Sequence, residues 1–183
     1  MQNLAWRRAL HTSESVVHSP LKKLFIANRG EIACRIIRSA QKMGIRTVAA
    51  WSDADKHSMH VTLADESVRL GPSMPSMSYL NVERVLEAAK STGADSIHPG
   101  YGFLSEDGNF AQAVIDSGIT YVGPTPDSIV TMGQKNNAKA AMEKAGVPVI
   151  PGYHGSGQEI EVFAKACERI GYPVMISEQQ RYF

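Results

Sequence analysis

Three short stretches carry the side chains that could do chemistry. The first is His98-Pro99-Gly100-Tyr101-Gly102-Phe103-Leu104-Ser105-Glu106, where two glycines alternate with aromatic rings. Pro99-Gly100 is explained by a turn alone. Tyr101 and Phe103 make the loop more apolar than a solvent-facing turn requires, which suits a pocket wall. His98 could move a proton, but a single histidine at a strand end reads first as a hydrogen-bonded turn residue. The second stretch is Asn28-Arg29-Gly30-Glu31, with one glycine where a dinucleotide fingerprint needs three. One glycine at a strand-to-helix turn is accounted for by backbone geometry. The third is Gly133-Gln134-Lys135. A lysine ammonium is a compact charge suited to phosphate, and helix starts favour anions. A solvated lysine is the plain alternative.

Other chemistries lack their residues. The chain has no HExxH, GxSxG or GxxxxGK[ST] motif and no paired carboxylates at fixed spacing. Cys34 and Cys167 are far apart in sequence, with no CxxC. Two buried thiols in a reducing compartment fit better than a disulfide framework or a structural zinc site.

The elements that must position these loops follow a regular cycle. Leu24-Phe25-Ile26-Ala27 is a short apolar run. Ile32, Ile36, Ile37, Ala40 and Met43 then recur at helical spacing, with Glu31 in the first turn and Gly44 after the last. Thr47–Trp51 and Ser67–Leu70 read as strands. Asn81 can cap a helix bearing Val82, Val85, Leu86 and Ala89. Ser96–His98 and Ile119–Val122 are strand-like, and Phe110, Ala113 and Val114 mark the helix between them. Strands alternating with helices predict βαβ units, hence an α/β fold with a parallel, Rossmann-like sheet. In such a sheet, ligands bind beyond the carboxyl ends of the strands.

The pattern changes near Gly133. Helical stretches over Ile129–Met132, Asn136–Ala145 and Ile160–Ile170 follow, with Val147–Pro151 extended between them. The prolines at 148 and 151 keep that segment out of a central strand. Pro173-Val174-Met175-Ile176 reads as the opening of a buried strand, followed by the polar run Ser177–Phe183.

The 183 residues are 43% hydrophobic and 20% charged, with a net charge of +1, ordinary for a globular chain. The neutral balance gives no large nucleic-acid footprint, and no apolar run approaches the ~20 residues that span a bilayer. The first 19 or so residues differ from the rest. They carry Arg7 and Arg8, several hydroxyl groups and a single acid, Glu14. That amphipathic, acid-poor character predicts a mitochondrial transit peptide; a plain N-terminal tail is the alternative.

Beyond these readings, three runs carry a resemblance. LFIANRGEIACRIIRSAQKMGIRTVAAWSDAD, HPGYGFLSE and GPTPDSIVTMGQKNNAKAAMEKAGVPVIPGYHG resemble the biotin carboxylase component of biotin-dependent carboxylases. The likeness runs from about Lys22 to Ile176, and the order and spacing of ANRGEIA and HPGYGFLSE are highly specific. SMHV and PGYHG most resemble the methylcrotonyl-CoA branch, with the propionyl-CoA and pyruvate carboxylases close competitors.

The resemblance implies a pre-ATP-grasp domain over 20–133 and the start of an ATP-grasp domain over 134–176. It implies a ligase that uses Mg-ATP to activate bicarbonate as carboxyphosphate, then carboxylates N1′ of biotin. Lys135 matches the family's first ATP-phosphate lysine, and Tyr101 and Gly102 match the loop bordering the biotin site. ATP, Mg and biotin are the implied cofactors. Other carboxylase subunits and a biotin carrier domain are the implied partners, and the mitochondrial matrix is the implied compartment.

The family continues past GYPVMI with a second ATP lysine and a glycine-rich loop. Here Ser177 takes the lysine's place, and 177–183 is a divergent tail without those glycines. The resemblance therefore implies a truncated enzyme, silent alone, in which no catalytic residue and no metal ligand is assigned. A non-catalytic interaction fragment and an unrelated Rossmann-like oxidoreductase are the competing readings. Titration with NAD or NADP separates the last: no saturable binding is expected, and a saturable isotherm would restore the oxidoreductase.

Overall fold

The computed structural model describes residues 21–153 and 159–176, without the side chains of Lys135 and Asn136. The leader expected over 1–19, the tail over 177–183 and His154–Gly157 lie outside the described residues.

Five strands form one sheet: β1 (Lys23–Ile26), β2 (Arg46–Ser52), β3 (Glu66–Gly71), β4 (Ser96–His98) and β5 (Thr120–Tyr121), in the order β3-β2-β1-β4-β5. Every pairing is parallel, as the alternation of strands and helices predicts. β1 registers Leu24 against Thr47 of β2 on one side and Ser96 of β4 on the other. The chain winds outward from β1 to β3, then returns to place β4 on the opposite side. The strand order thus reverses between β1 and β4, which is where such sheets bind ligands.

Seven helices are described: α1 (Gly30–Lys42), α2 (Met59–Leu63), α3 (Val82–Ser91), α4 (Gly108–Asp116), α5 (Pro126–Gly133), α6 (Lys135–Lys144) and α7 (Ile160–Ile170). Local chemistry sets several of their ends. Asn81 Oδ1 accepts the Arg84 amide at 3.0 Å, capping α3 as its sequence position predicts. Asp107 Oδ1 accepts the amides of Asn109 and Phe110 at the start of α4. Thr125 caps α5 through the Ser128 amide, with Pro126 at the first helical position, where its missing N–H costs nothing.

The chain divides into two compact units, 1–105 with 114–123, and 106–113 with 124–183. The sheet belongs to the first. Its principal core joins Leu24 and Ile26 of β1 and Ala49 of β2 to Ala33, Ile36, Ile37 and Ala40 of α1. Ile36, Ile37 and Ala40 belong to the helical stripe legible in the sequence and Ile32 packs against the cluster, whereas Ala33 joins it unforeseen and Met43, expected on the stripe, is exposed just past the helix end. Side chains alternate along a strand, so Phe25 points to the opposite face from Leu24 and Ile26. It is equally buried, so β1 is covered on both faces, as a central parallel strand must be.

Several expectations change. Of the two thiols expected to be buried, Cys34 is, but Cys167 on α7 is only half-buried, since among the described residues its unit has no sheet for the helix to pack on. The strand at Ile119–Val122 shrinks to Thr120–Tyr121. The five-residue α2 was not foreseen, because so short a helix leaves no periodic signal. Pro173–Ile176 forms no strand. Met175 is 93% exposed, and an apolar run with no neighbouring strand has nothing to complete its backbone hydrogen bonds.

Ile37 is fully buried between α1 and the sheet. Ile37→Ala is expected to lower unfolding stability by about 2–5 kcal/mol, read from the urea midpoint. Met43→Ala, at an exposed site, serves as the control and should leave the midpoint in place.

Candidate functional site at the carboxyl edge of the sheet

The loops after β1 and β4 meet at the strand-order reversal and are stitched together by one side chain. Asn28 is buried, with 1% of its surface exposed. Its Nδ2 donates to the carbonyl oxygens of Pro99 and Tyr101, both at 2.9 Å. Its Oδ1 accepts the Arg29 amide, also at 2.9 Å. Two carbonyl acceptors and one N–H donor leave the carboxamide a single workable orientation. Gly100 is obligatory opposite it. Its φ is +69°, and a Cβ there would lie 2.5 Å from Asn28 Nδ2.

Two imidazoles fix the same loops from either side. His60, on α2, is fully buried. Its Nδ1 accepts the amide of Gly30 at 3.3 Å. That leaves Nε2 to carry the proton and donate to the Ala50 carbonyl at 3.2 Å. His98 Nδ1 accepts the Gly100 amide at 2.9 Å, so the turn-residue reading of His98 holds. Burial pushes both histidines below the ordinary value of 6.5. For His98 the nearby Arg35 charge acts in the same direction, while for His60 the Ala50 hydrogen bond and Asp55 oppose burial.

Asp55 anchors a third set of contacts. Its side chain is almost wholly buried and pairs with Arg29 Nη2 at 2.7 Å. Its Oδ2 also accepts the hydroxyls of Ser52 at 2.6 Å and Tyr79 at 3.0 Å. Tyr79 donates in addition towards the Ala50 carbonyl. Burial, with the Asp55 carboxylate next, raises the phenol far above its usual range, so it stays a donor at every physiological pH. Phe103 stacks on the Tyr79 ring at 4.9 Å and 9° between planes. Its φ of +43° is the one left-handed backbone outside glycine among the described residues. Phe103 is therefore held by packing, which explains its aromatic character without a pocket.

The sequence-predicted residues fall in different places. Tyr101 and Gly102 share one loop of the first unit, and the Tyr101 side chain is 74% exposed. Gly102 has a φ of +71° and open space where a Cβ would stand. Lys135 is the first residue of α6 in the second unit, a helix start as its sequence position suggested. Its ammonium lies outside the described residues. A cleft of about 700 Å³ in the second unit is lined by Glu143, Val149, Pro151, Tyr153 and Arg169 among others, and includes none of the predicted residues. Among the described residues, no three His, Cys, Asp or Glu side chains gather as a metal site.

Asp55, His60 and Tyr79 were missed by sequence reasoning. Asp55 had a signal: Ser52-Asp53-Ala54-Asp55 is a polar cluster directly behind a strand. His60 and Tyr79 had none, since each lies in a short mixed stretch without periodicity or motif, and their partners are distant in sequence. Chemically, the arrangement is a rigid platform. The Arg29 and Gly30 amides, where a Rossmann fold would receive phosphate, are already taken by Asn28 and His60.

Comparison with known proteins gives this platform a family. Residues 20–129 match the family model "Biotin carboxylase, N-terminal domain", and residues 134–180 match "Carbamoyl-phosphate synthase L chain, ATP binding domain". The mitochondrial methylcrotonoyl-CoA carboxylase subunit alpha of Arabidopsis thaliana is 53% identical over 156 residues, 85% of this chain and 21% of that protein. Biotin carboxylase 1 of Bacillus subtilis is 49% identical over 156 residues, 85% of this chain and 35% of that protein. The biotin carboxylase domain of the Hydrogenobacter thermophilus 2-oxoglutarate carboxylase, solved with MgADP, ADP and bicarbonate, superposes with a TM-score of 0.78. It is 43% identical, over 85% of this chain and 34% of that one. The chain thus spans between a fifth and about a third of the length of these relatives.

Removing Asp55 takes an acceptor from two sheltered hydroxyls and unpairs a half-exposed guanidinium. Asp55→Ala is expected to cost about 1–3 kcal/mol, the scale of leaving buried donors unsatisfied. Asp53→Ala, which breaks the exposed pair with Arg69, should leave chemical denaturation unchanged within error. Equal losses in the two variants would refute a buried hub at Asp55.

Proposed function

The chain belongs to the biotin carboxylase family, and on that premise we propose that it is the N-terminal part of an ATP-dependent biotin carboxylase within an acyl-CoA carboxylase. The observation that carries this reading is the junction of ANRGEIA and HPGYGFLSE. The two most family-specific motifs of the sequence are tied to each other through Asn28, where an open parallel sheet presents ligand-facing loops. The parent reaction uses Mg-ATP and bicarbonate to form carboxyphosphate, then carboxylates N1′ of biotin. In it Lys135 would face ATP phosphate, with the start of α6 adding favourable backbone charge. Tyr101 and Gly102 would form the rim of the biotin pocket. Their exposure at a loop tip suits such a rim.

The described residues provide no cluster for magnesium. No described group is placed as general base or acid: His60 and His98 are occupied by backbone partners. On this reading the chain supplies scaffold and one phosphate-facing ammonium and is inactive alone. The methylcrotonyl-CoA branch, and so leucine breakdown, is favoured by SMHV and PGYHG and by the Arabidopsis relative. A propionyl-CoA or pyruvate carboxylase origin is the alternative. The relative named mitochondrial, with the Arg-bearing leader, supports the mitochondrial matrix. Partners would be other carboxylase subunits and a biotin carrier domain. No described helix is long and apolar enough to cross a membrane, and the net charge of +1 supports no nucleic-acid partner. A second reading, a non-catalytic interaction fragment, is favoured by exposed Ile150, Ile160 and Met175 in the second unit. Co-purification with an intact carboxylase would support it.

Phosphate release from ATP in the presence of bicarbonate and free biotin tests the main reading. No turnover above background is expected from the purified chain, and clear bicarbonate-dependent turnover would sink the claim of inactivity. Where calorimetry detects ATP binding, Lys135→Ala should weaken it by about 1.5–3 kcal/mol, the worth of a hydrogen bond to a charged group. Unchanged affinity would remove Lys135 from the nucleotide site.

A further inference from the structure

Two histidines do the same job at the two loops that meet between β1 and β4. Gly30 and Gly100 each open a loop in the left-handed region, with φ of +58° and +69°. Each presents its amide to a sheltered imidazole Nδ1: Gly30 to His60, Gly100 to His98. Asn28 then ties the second loop to the first. An imidazole Nδ1 accepts a hydrogen bond only while unprotonated; in the imidazolium it becomes a donor aimed at another donor.

We propose that His98 and His60 are proton-gated positioning residues, which hold the Gly100–Gly102 rim and the Gly30 turn in register only while both rings are neutral. The functional weight of this gate rests on the reading of Tyr101 and Gly102 as a biotin-pocket rim; the gate itself rests on the geometry alone.

The surroundings offer no stable home for a second proton. The charge facing His98 is Arg35 on α1, and it repels a cation. Around His60 stand Arg29, which repels, and Asp55, which attracts. That carboxylate is already engaged by Arg29, Ser52 and Tyr79. The Ala50 carbonyl receives the Nε2 proton in either state, so it does nothing to replace the lost acceptor.

The sign of the linkage follows. Both rings titrate below 6.5 in the folded chain, so the released loops bind protons more readily than the held ones. The stabilisation is complete above 6.5 and declines as pH falls below it. Loss of the Gly100 contact acts on the rim directly, because Tyr101 and Gly102 follow Gly100 in the same loop.

Amide hydrogen exchange of the full chain, followed by NMR between about pH 7.5 and about pH 5 and corrected for intrinsic rates, tests this. The Gly100 amide is expected to lose protection several-fold on acidification, with the Tyr101 and Gly102 amide resonances shifting along the same titration, while Phe25 and Val48 in the sheet keep their protection. His98→Asn sets a carboxamide oxygen near the place of Nδ1 without a titrating group. It should hold the loop at neutral pH and abolish the acid response; His98→Ala should expose the loop at both pH values. Protection that ignores pH, a uniform loss across the sheet, or a His98→Asn chain with the wild-type response would each overturn the gate. Because the readout needs no biotin, a working gate combined with unchanged biotin binding in Tyr101→Ala would fault the rim reading alone.

Discussion

An open parallel sheet whose strand order reverses places the ends of two neighbouring strands side by side, and the loops that leave them diverge. Their backbone amides and carbonyls lie against the sheet, where every unpaired group costs free energy. Here that demand falls on the segments after β1 and β4, and one buried carboxamide meets most of it. Asn28 uses both of its amide protons and its oxygen on three backbone groups from the two loops. Neither aspartate nor leucine could do so. A carboxylate has no donor for the Pro99 and Tyr101 carbonyls, and an alkyl group has no polar atoms. The glycine opposite is a consequence of the same bond, because a Cβ at position 100 would collide with the group that holds the loop.

Everything else at that edge is arranged around this junction. His60 takes the next amide along the chain, so the start of α1 is consumed by the protein itself. A Rossmann-type sheet ordinarily keeps those amides free for phosphate. Arg29, one residue earlier, points its guanidinium at Asp55 and so connects the first loop to the segment after β2. Tyr79 carries the connection on to Phe103, within the same loop that Asn28 pins from its other end. The His98–Glu106 segment is thus held at both ends by unrelated forces, a hydrogen-bonded amide and a stacked ring. Between those two anchors, Tyr101-Gly102 projects into solvent. A loop clamped at its ends and exposed at its centre presents a defined edge to a ligand without having to order itself on binding.

Much of this was legible in the residues, and the illegible part has a common cause. The strands and the α1 stripe announced themselves because periodic burial leaves periodic sequence. Asn81 declared the start of α3 by cap chemistry that acts over three residues. Asn28 was visible as a polar residue in a turn, but its partners stand 71 and 73 positions away. No local pattern encodes such a distance. The same holds for Asp55, whose hub joins residues from Arg29 to Tyr79. Phe103 misled for the converse reason: an aromatic ring in a glycine-rich loop fits a pocket wall and a stacking partner equally well until Tyr79 is placed against it. Pro173–Ile176 has the composition of a strand, and composition gives an apolar run the capacity to pair without giving it a partner.

The two units differ in how they secure their residues, and this bears on Lys135. In the first, α1 is 13 residues long and lays five buried side chains against a continuous sheet. In the second, the described residues contain no strand, and α6 is ten residues long. An isolated helix shorter than about 12–15 residues is marginal in water, so its persistence depends on what it packs against. Several apolar side chains of this unit, Ile150 and Ile160 among them, face solvent and give little such support. The phosphate-facing role assigned to Lys135 requires the start of α6 to be fixed in space, since a charge gains little from a ligand it must first be ordered to meet. The rim proposed for biotin has no such dependence, being set by Asn28 and Gly100 within the sheet unit. The two halves of the proposed chemistry therefore rest on unequal foundations: the rim is preorganised by contacts within its own unit, while the ammonium is only as well placed as the packing of a short helix allows.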